Sequence, residues 1–248
     1  MARSFLSRVL ARVGINLSTP SWAQCGEDLI MSLALSQAGI QRPFYMDLGA
    51  HHPIHLSNTY LFYRRGGFGI NVEANPKLAK YLSLKRPRDI TLNVGVAPPD
   101  GALQGSLPFY VMTLPALSTF SKDDAERIER ETKIRCLRIE NVPTMSVEQV
   151  VEMYSGGRNI DILTTDIEGW DEPVLMSLNY SRFRPFLICA ETIDYHEDHT
   201  IEKNNTLINF LCDKGYFVYA DNYINTIFVD KERWPGAIIS TINSSART

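Results

Sequence analysis

Five short apolar runs recur along the chain, and four of them stop at a carboxylate. They are "PFYMDLGA" with Asp47, "FGINVEANP" with Glu73, "DITLNVGVA", "IDILTTDIEG" with Asp166, and "RPFLICAETI" with Glu191. Runs this short and this continuously apolar fit strands covered on both faces. Between the first two, "SNTYLFYRRGG" has helical length and stops at glycines. "PKLAKYLSLKR" follows the second and carries proline at its first turn, where a helix tolerates it. A further helix is predicted over Asp28–Gln37, stopping before Gly39. Strands alternating with helices imply an α/β fold, a Rossmann-like and mostly parallel sheet with helices on both faces. The last part differs. Tyr216–Ala220 and Thr226–Asp230, joined by "DNYIN", predict a C-terminal antiparallel hairpin that closes the sheet.

The 248 residues are 44% hydrophobic and 21% charged, enough for a sizeable core, and no repeat or linker divides them. One domain over 21–248 is expected. Its rhythm breaks near 98–144, where "LPFYVM", "ALSTFS" and a charged helix from Asp123 to about Lys133 suggest an insertion or lid. Residues 1–20 read as an amphipathic helical extension, with Arg3, Arg8 and Arg12 interleaved among Phe5, Leu6, Val9, Leu10 and Val13. The arginines interrupt the apolar stretch that a secretory signal needs. Such a helix packs on the body, on a second subunit of a homo-oligomer, or on an anionic membrane surface as a peripheral contact. No run approaches the ~18 apolar residues of a membrane span. A net charge of −3 gives no reason to expect nucleic acid. Cys25, Cys136, Cys189 and Cys212 are scattered, which fits a reducing, cytoplasmic setting better than a disulfide framework.

In open parallel sheets, ligands bind beyond the carboxyl ends of the strands, and there Asp47, Glu73, Asp166 and Glu191 fall. Gly49 lets the backbone approach a ligand. Glu73, 26 residues after Asp47, is placed to accept from ribose hydroxyls, but "DLGAHHP" has one glycine where a pyrophosphate-binding turn wants three. A ligand with a ribose and no phosphate suits the loop, and S-adenosylmethionine is one. The crowded His51, His52 and His55 raise the question of zinc. Adjacent His51 and His52 point in different directions, however, and no cysteine or carboxylate stands at a matching spacing. More plausibly one of the three faces the cofactor, one the acceptor side, and one packs locally.

Together, "QCGEDLI", "DLGAHHPIHLSNTYLFYRRGGFGINVEANP", "LNVGVA" and "DIEGWDEPVL" resemble the FkbM family of S-adenosylmethionine-dependent methyltransferases over roughly Gln24 to Tyr195. The resemblance implies a class I methyltransferase sheet and methylation of a hydroxyl, often on a sugar of a glycan, polysaccharide or glycosylated metabolite. It implies cofactor contacts from Asp47, Gly49, Ser57 and Glu73, with Gln24 and Asp28 beside them. His51, His52, Asn58 and Asn93 join this set, His51-His52 standing where relatives often carry Asn-Asp. Related sugar methyltransferases hold magnesium with carboxylates at the fourth and fifth strand ends, which here implies Asp166, Glu191 and the nearby Asp194. Asp166, Glu168 of the D-x-E-G pattern, and His196 are the catalytic candidates. His199 reads as part of a solvated loop, while Trp170 and Tyr195 either stack on a sugar or pack in the core. Two other classes use a similar sheet: a nicotinamide oxidoreductase and a non-catalytic nucleotide-binding protein.

Overall fold

A computed structural model describes residues 19–167, 169–195 and 201–236. The expectations for the N-terminal helix (residues 1–18), Glu168, His196 and His199 therefore lie outside the described residues.

A seven-stranded sheet organises the chain. Its first three strands are β1 (Phe44–Leu48), β2 (Phe68–Val72) and β3 (Ile90–Leu92). After them come β7 (Ile162–Thr165), β8 (Leu187–Glu191), β11 (Tyr216–Asp221) and β12 (Asn225–Asp230). The spatial order is β11-β12-β8-β7-β1-β2-β3. Neighbours from β8 to β3 are parallel, whereas β12 runs antiparallel to both β8 and β11. This is the Rossmann-like sheet with a C-terminal hairpin that the apolar runs predict.

Alternation sorts the residues of β1. Phe44, Met46 and Leu48 face a core covered by α6 (Val147–Tyr154), α7 (Asp171–Met176) and α8 (Asn205–Asp213). Tyr45 faces the opposite core, covered by α1 (Glu27–Gln37) and α2 (Tyr60–Arg64). Helices thus lie on both faces, so every strand of the central rows is buried twice.

Local chemistry sets the helix starts. Asn75 caps α3 (Pro76–Lys85) by accepting from Lys77 N at 3.1 Å, with proline in the first turn. Ser146 and Gln149 form a capping box at α6. The helix predicted over 57–67 shortens to α2 because the chain before it is not helical: His51 and Leu56 hold positive φ angles of 47° and 56°. The third apolar run is also corrected. It splits into β3, in the main sheet, and β4 (Gly95–Val96), which pairs with β6 (Cys136–Met145). Asn93 stands at the break, its amide donating to the carbonyls of Glu73 and Ala74 at 2.9 Å each.

The segment that interrupts the rhythm begins with the short helix α4 (Pro99–Ala102). It then builds an antiparallel pair, β5 (Ser106–Met112) with β6, and the helix α5 (Lys122–Glu131). Ser121 caps α5, and Ala125 and Ile128 bury its inner face against Met112. An aromatic series ties this insertion to the start of α7, Phe109 to Phe120 at 4.8 Å and Phe120 to Trp170 at 5.8 Å. Trp170 also packs against the main core, the second of its two expected fates. The remaining pair is β9 (Ile193–Tyr195) with β10 (Ile201–Lys203), and Asp194 lies in β9. Among the described residues, no helix is long and apolar enough to cross a membrane.

Candidate active site

A cavity of about 470 Å3 opens where β1, β2, β7 and β8 end. Asp47, Gly49, His51, Ser57, Asn58, Glu73, Asp166 and Glu191 line it, so four strand-end carboxylates share one space. Gln24 closes the side nearest α1.

The floor is a tight crossing of backbone. Gly49 has φ +81°, and a Cβ there would lie 1.9 Å from the carbonyl oxygen of Asp166. Its amide and that of Ala50 both donate to Val72 O, at 3.0 and 3.1 Å. The turn after β1 is thereby drawn against the end of β2, and only glycine permits it.

Glu73 clamps that turn from the far side. One carboxylate oxygen accepts from His51 N at 2.8 Å and the other from Asn75 N at 2.7 Å. Each oxygen keeps a lone pair for a ligand hydroxyl. Burial pushes its pKa up to about 7, against the two backbone donors, which pull it down. Asp47 is likewise raised to about 6, chiefly by desolvation, with a hydrogen bond from Thr59 opposing. Asp166 rises to about 7 through desolvation and then through Asp171 and Glu27. Its side chain is open to water through the cavity although protein surrounds it closely, so solvent tempers that shift.

Several predicted residues act one step back from the cavity. Asp28, fully buried, accepts from the Ser21 hydroxyl and Trp22 N at 2.6 and 2.8 Å. It shapes the loop that carries Gln24 over the site, and Ser57 N holds the same loop through Trp22 O at 2.9 Å. His52 turns into its own loop, where Nδ1 accepts from Ile54 N and His55 N at 3.1 and 2.9 Å. Its ring lies 4.8 Å from that of His55 and 5.4 Å from Tyr81. Asn93 fixes the backbone beside Glu73, as described above. None of these three lines the cavity. His51 does, and burial lowers its pKa, which favours the neutral imidazole.

Among the described residues, no group of three or more His, Cys, Asp or Glu side chains could hold a metal ion. Of the expected magnesium set, Asp166 and Glu191 line the cavity, while the side chain of Asp194 lies outside what is described. The histidine trio forms no zinc site among the described residues either, because His52 spends its Nδ1 on the backbone.

The structure adds residues that the sequence did not single out. Glu27, fully buried, accepts from Asn222 and Asn225 at 2.8 and 2.7 Å and so ties α1 to the hairpin rim, where Asn225 lines the cavity. The insertion contributes Phe109, Phe120 and Arg127 to the walls. A second cavity of about 390 Å3 lies alongside, between α5 and α7, and shares Thr119, Arg127, Ile128 and Glu191 with the first. The hairpin and insertion residues carried no motif, and only their position after folding reveals them.

A ligand-sized cavity at the carboxyl ends of a mostly parallel sheet, with a buried acid clamping its first turn, defines an α/β protein of the Rossmann-like class. Residues 47–218 match the family described as Methyltransferase FkbM domain, and the chain belongs to that family of methyltransferases. No curated protein matches the chain. Among solved structures it is similar to a TehB-like SAM-dependent methyltransferase from Corynebacterium glutamicum, at 10% identity and a TM-score of 0.41 over 93% of this chain and 97% of that one. It is also similar to an O-methyltransferase from Bacillus cereus in complex with SAH, at 13% identity and a TM-score of 0.39 over 91% and 88%. Both likenesses are too distant to bear on chemistry.

Proposed function

We propose that the protein is an S-adenosylmethionine-dependent O-methyltransferase whose acceptor is a sugar hydroxyl of a glycan, polysaccharide or glycosylated metabolite. One observation supports this reading: the cavity that holds the Glu73 clamp and Asp166 shares a wall of Thr119, Arg127, Ile128 and Glu191 with the second cavity. A cofactor and an acceptor would meet at that junction.

S-adenosylmethionine, when bound, supplies a methyl group already activated by its sulfonium. The chain's own residues bind and orient the reactants and move one proton. Glu73 takes the ribose hydroxyls on its free lone pairs. Asp47, Gly49 and Ser57 receive the amino-acid end, with Gln24 and Asn58 beside them. Asn58 is held by donating to Thr164 at 3.0 Å. A sugar hydroxyl is a very weak acid, so its proton needs an acceptor as the new bond forms. Asp166, its pKa raised by desolvation and by Asp171 and Glu27, faces the cavity and suits that role. The segment at 98–144 supplies one wall of the site through Phe109, Phe120 and Arg127.

Isothermal titration with S-adenosylmethionine, S-adenosylhomocysteine and NAD tests the cofactor. Binding of the first two and not of NAD is expected, and NAD binding alone would favour an oxidoreductase. Binding without turnover on any glycan acceptor would favour a non-catalytic protein. Asp166→Asn is expected to keep S-adenosylhomocysteine affinity while turnover falls about 10²- to 10⁴-fold. Turnover that collapses in excess EDTA and returns with magnesium would add a metal to this scheme.

A further inference from the structure

Below the cavity floor sits a charge that the scheme above does not use. Arg86, directly after α3, is fully buried. Its Nε donates to Asp89 at 2.8 Å, and Nη2 donates to the Tyr45 hydroxyl at 2.8 Å and to Thr59 Oγ1 at 2.9 Å. Nη1 donates to Ser57 Oγ at 3.3 Å. Asp89 also accepts from Tyr45, Gly69 N and Asn71, which anchors the guanidinium from behind. Burying this ion is costly, and well-packed apolar side chains often serve stability as well. Its contacts point to another use.

Counting hydrogens shows what it does. A guanidinium only donates, and at no ordinary pH does it lose that character. Thr59 Oγ1 accepts from Arg86, so its single hydrogen goes to Asp47 Oδ2, 2.5 Å away. Ser57 Oγ accepts from both Arg86 and Tyr60 N, the latter at 3.2 Å. Its lone pairs are then taken, and its hydrogen is left for the cavity that Ser57 lines. Were the Ser57 hydroxyl free to rotate, it could offer the cavity either polarity, while the Thr59 hydrogen favours the ionised, accepting form of Asp47.

We propose that Arg86 is a positioning residue that sets the cavity's polarity, holding Asp47 as an acceptor through Thr59 and Ser57 as a donor directly. Such a pair suits the ammonium and carboxylate of an amino-acid group. The inference rests on the cavity being the S-adenosylmethionine site and assigns its amino-acid end to this pair. Charged or titratable groups that act on Asp47 come from every side: Arg86 and Asp89 below, Glu73 after β2, Asp166 after β7 and Cys189 in β8.

The test is titration of the full chain with S-adenosylhomocysteine from pH 6 to 9, paired with thermal unfolding. Thr59→Val keeps shape and removes the relay, and it leaves one Arg86 N–H without its acceptor, a cost that thermal unfolding reads separately. It is expected to weaken binding about tenfold, the loss of one hydrogen bond to a charged group. The pH at which affinity is half lost should also move upward, because Asp47 loses the bond that favours its ionised form. Tyr45→Phe cuts the arm toward Asp89, away from the cavity. It should lower the unfolding temperature and leave affinity within about twofold. Arg86→Lys, which keeps charge without the fork, should weaken binding as Thr59→Val does. Unchanged affinity and pH profile in Thr59→Val would overturn the proposal, as would equal losses in Thr59→Val and Tyr45→Phe. A wild-type protein that does not bind S-adenosylhomocysteine would reject the cofactor reading instead.

Discussion

Gly49 and Glu73 show how single residues shape the cavity. A methyl at Gly49 meets the carbonyl of Asp166 and imposes an unfavourable positive φ. Gly49→Ala is expected to cost roughly 2–4 kcal/mol in urea unfolding, from strain and overpacking together. Glu73→Gln has a different signature. One amide group would face a backbone N–H, donor against donor, for about 1–3 kcal/mol of stability. S-adenosylhomocysteine affinity should fall about tenfold or more, as calorimetry would register. Asp47, Gly49 and Glu73 were legible in the sequence because each ends an apolar run, where a parallel sheet gathers its ligands. Arg86 was not, since "KRPRD" reads as a solvated helix end until Tyr45, Thr59 and Asp89 enclose it. His52 fell between these cases. Its crowding was visible, but not that its lone pair would go to Ile54 and His55.

At the level of elements, the five runs and the hairpin fall where alternation with helices places them. The departures have local causes. A strand continues only while its ladder does, and Asn93 diverts the chain after Leu92 by bonding back to the β2 loop. The break in rhythm at 98–144 was visible, yet the antiparallel pairing within it was not, because "LPFYVM" and the later "CLRIENVPTM" lie far apart in sequence. The placement of this segment matters for specificity. α5 and α7 flank the second cavity, and Glu172 of α7 lines that cavity without lining the first. Glu172→Gln should therefore raise the acceptor KM severalfold and leave cofactor affinity unaltered. Steady-state kinetics with each substrate varied in turn would separate the two, and a change in cofactor affinity alone would reverse the assignment of the cavities.

For the whole molecule, the gathering of carboxylates sets a conflict between stability and binding. Asp47, Glu73 and Asp166 all have pKa values raised by burial, to about 6, 7 and 7. An acid whose folded pKa exceeds its unfolded value holds more protons when folded, so its contribution to stability falls as pH rises. That contribution is fully present below the unfolded values near 4 and is lost as pH climbs through 6 and 7. The ligand-free protein should accordingly show a lower unfolding temperature at pH 8 than at pH 5.5. Burial raises Asp161 and Asp171 as well, so the comparison that isolates the site is wild type against Asp166→Asn. The variant, with nothing to ionise at that position, should lose less stability over the same interval. Binding runs the other way. Glu73 and Asp47 accept from a ligand best when ionised, so S-adenosylhomocysteine should bind more tightly at pH 8 and raise the unfolding temperature most there. A ligand-induced rise that is larger at pH 5.5 would contradict this account, because it would require the protonated cavity to be the binding form.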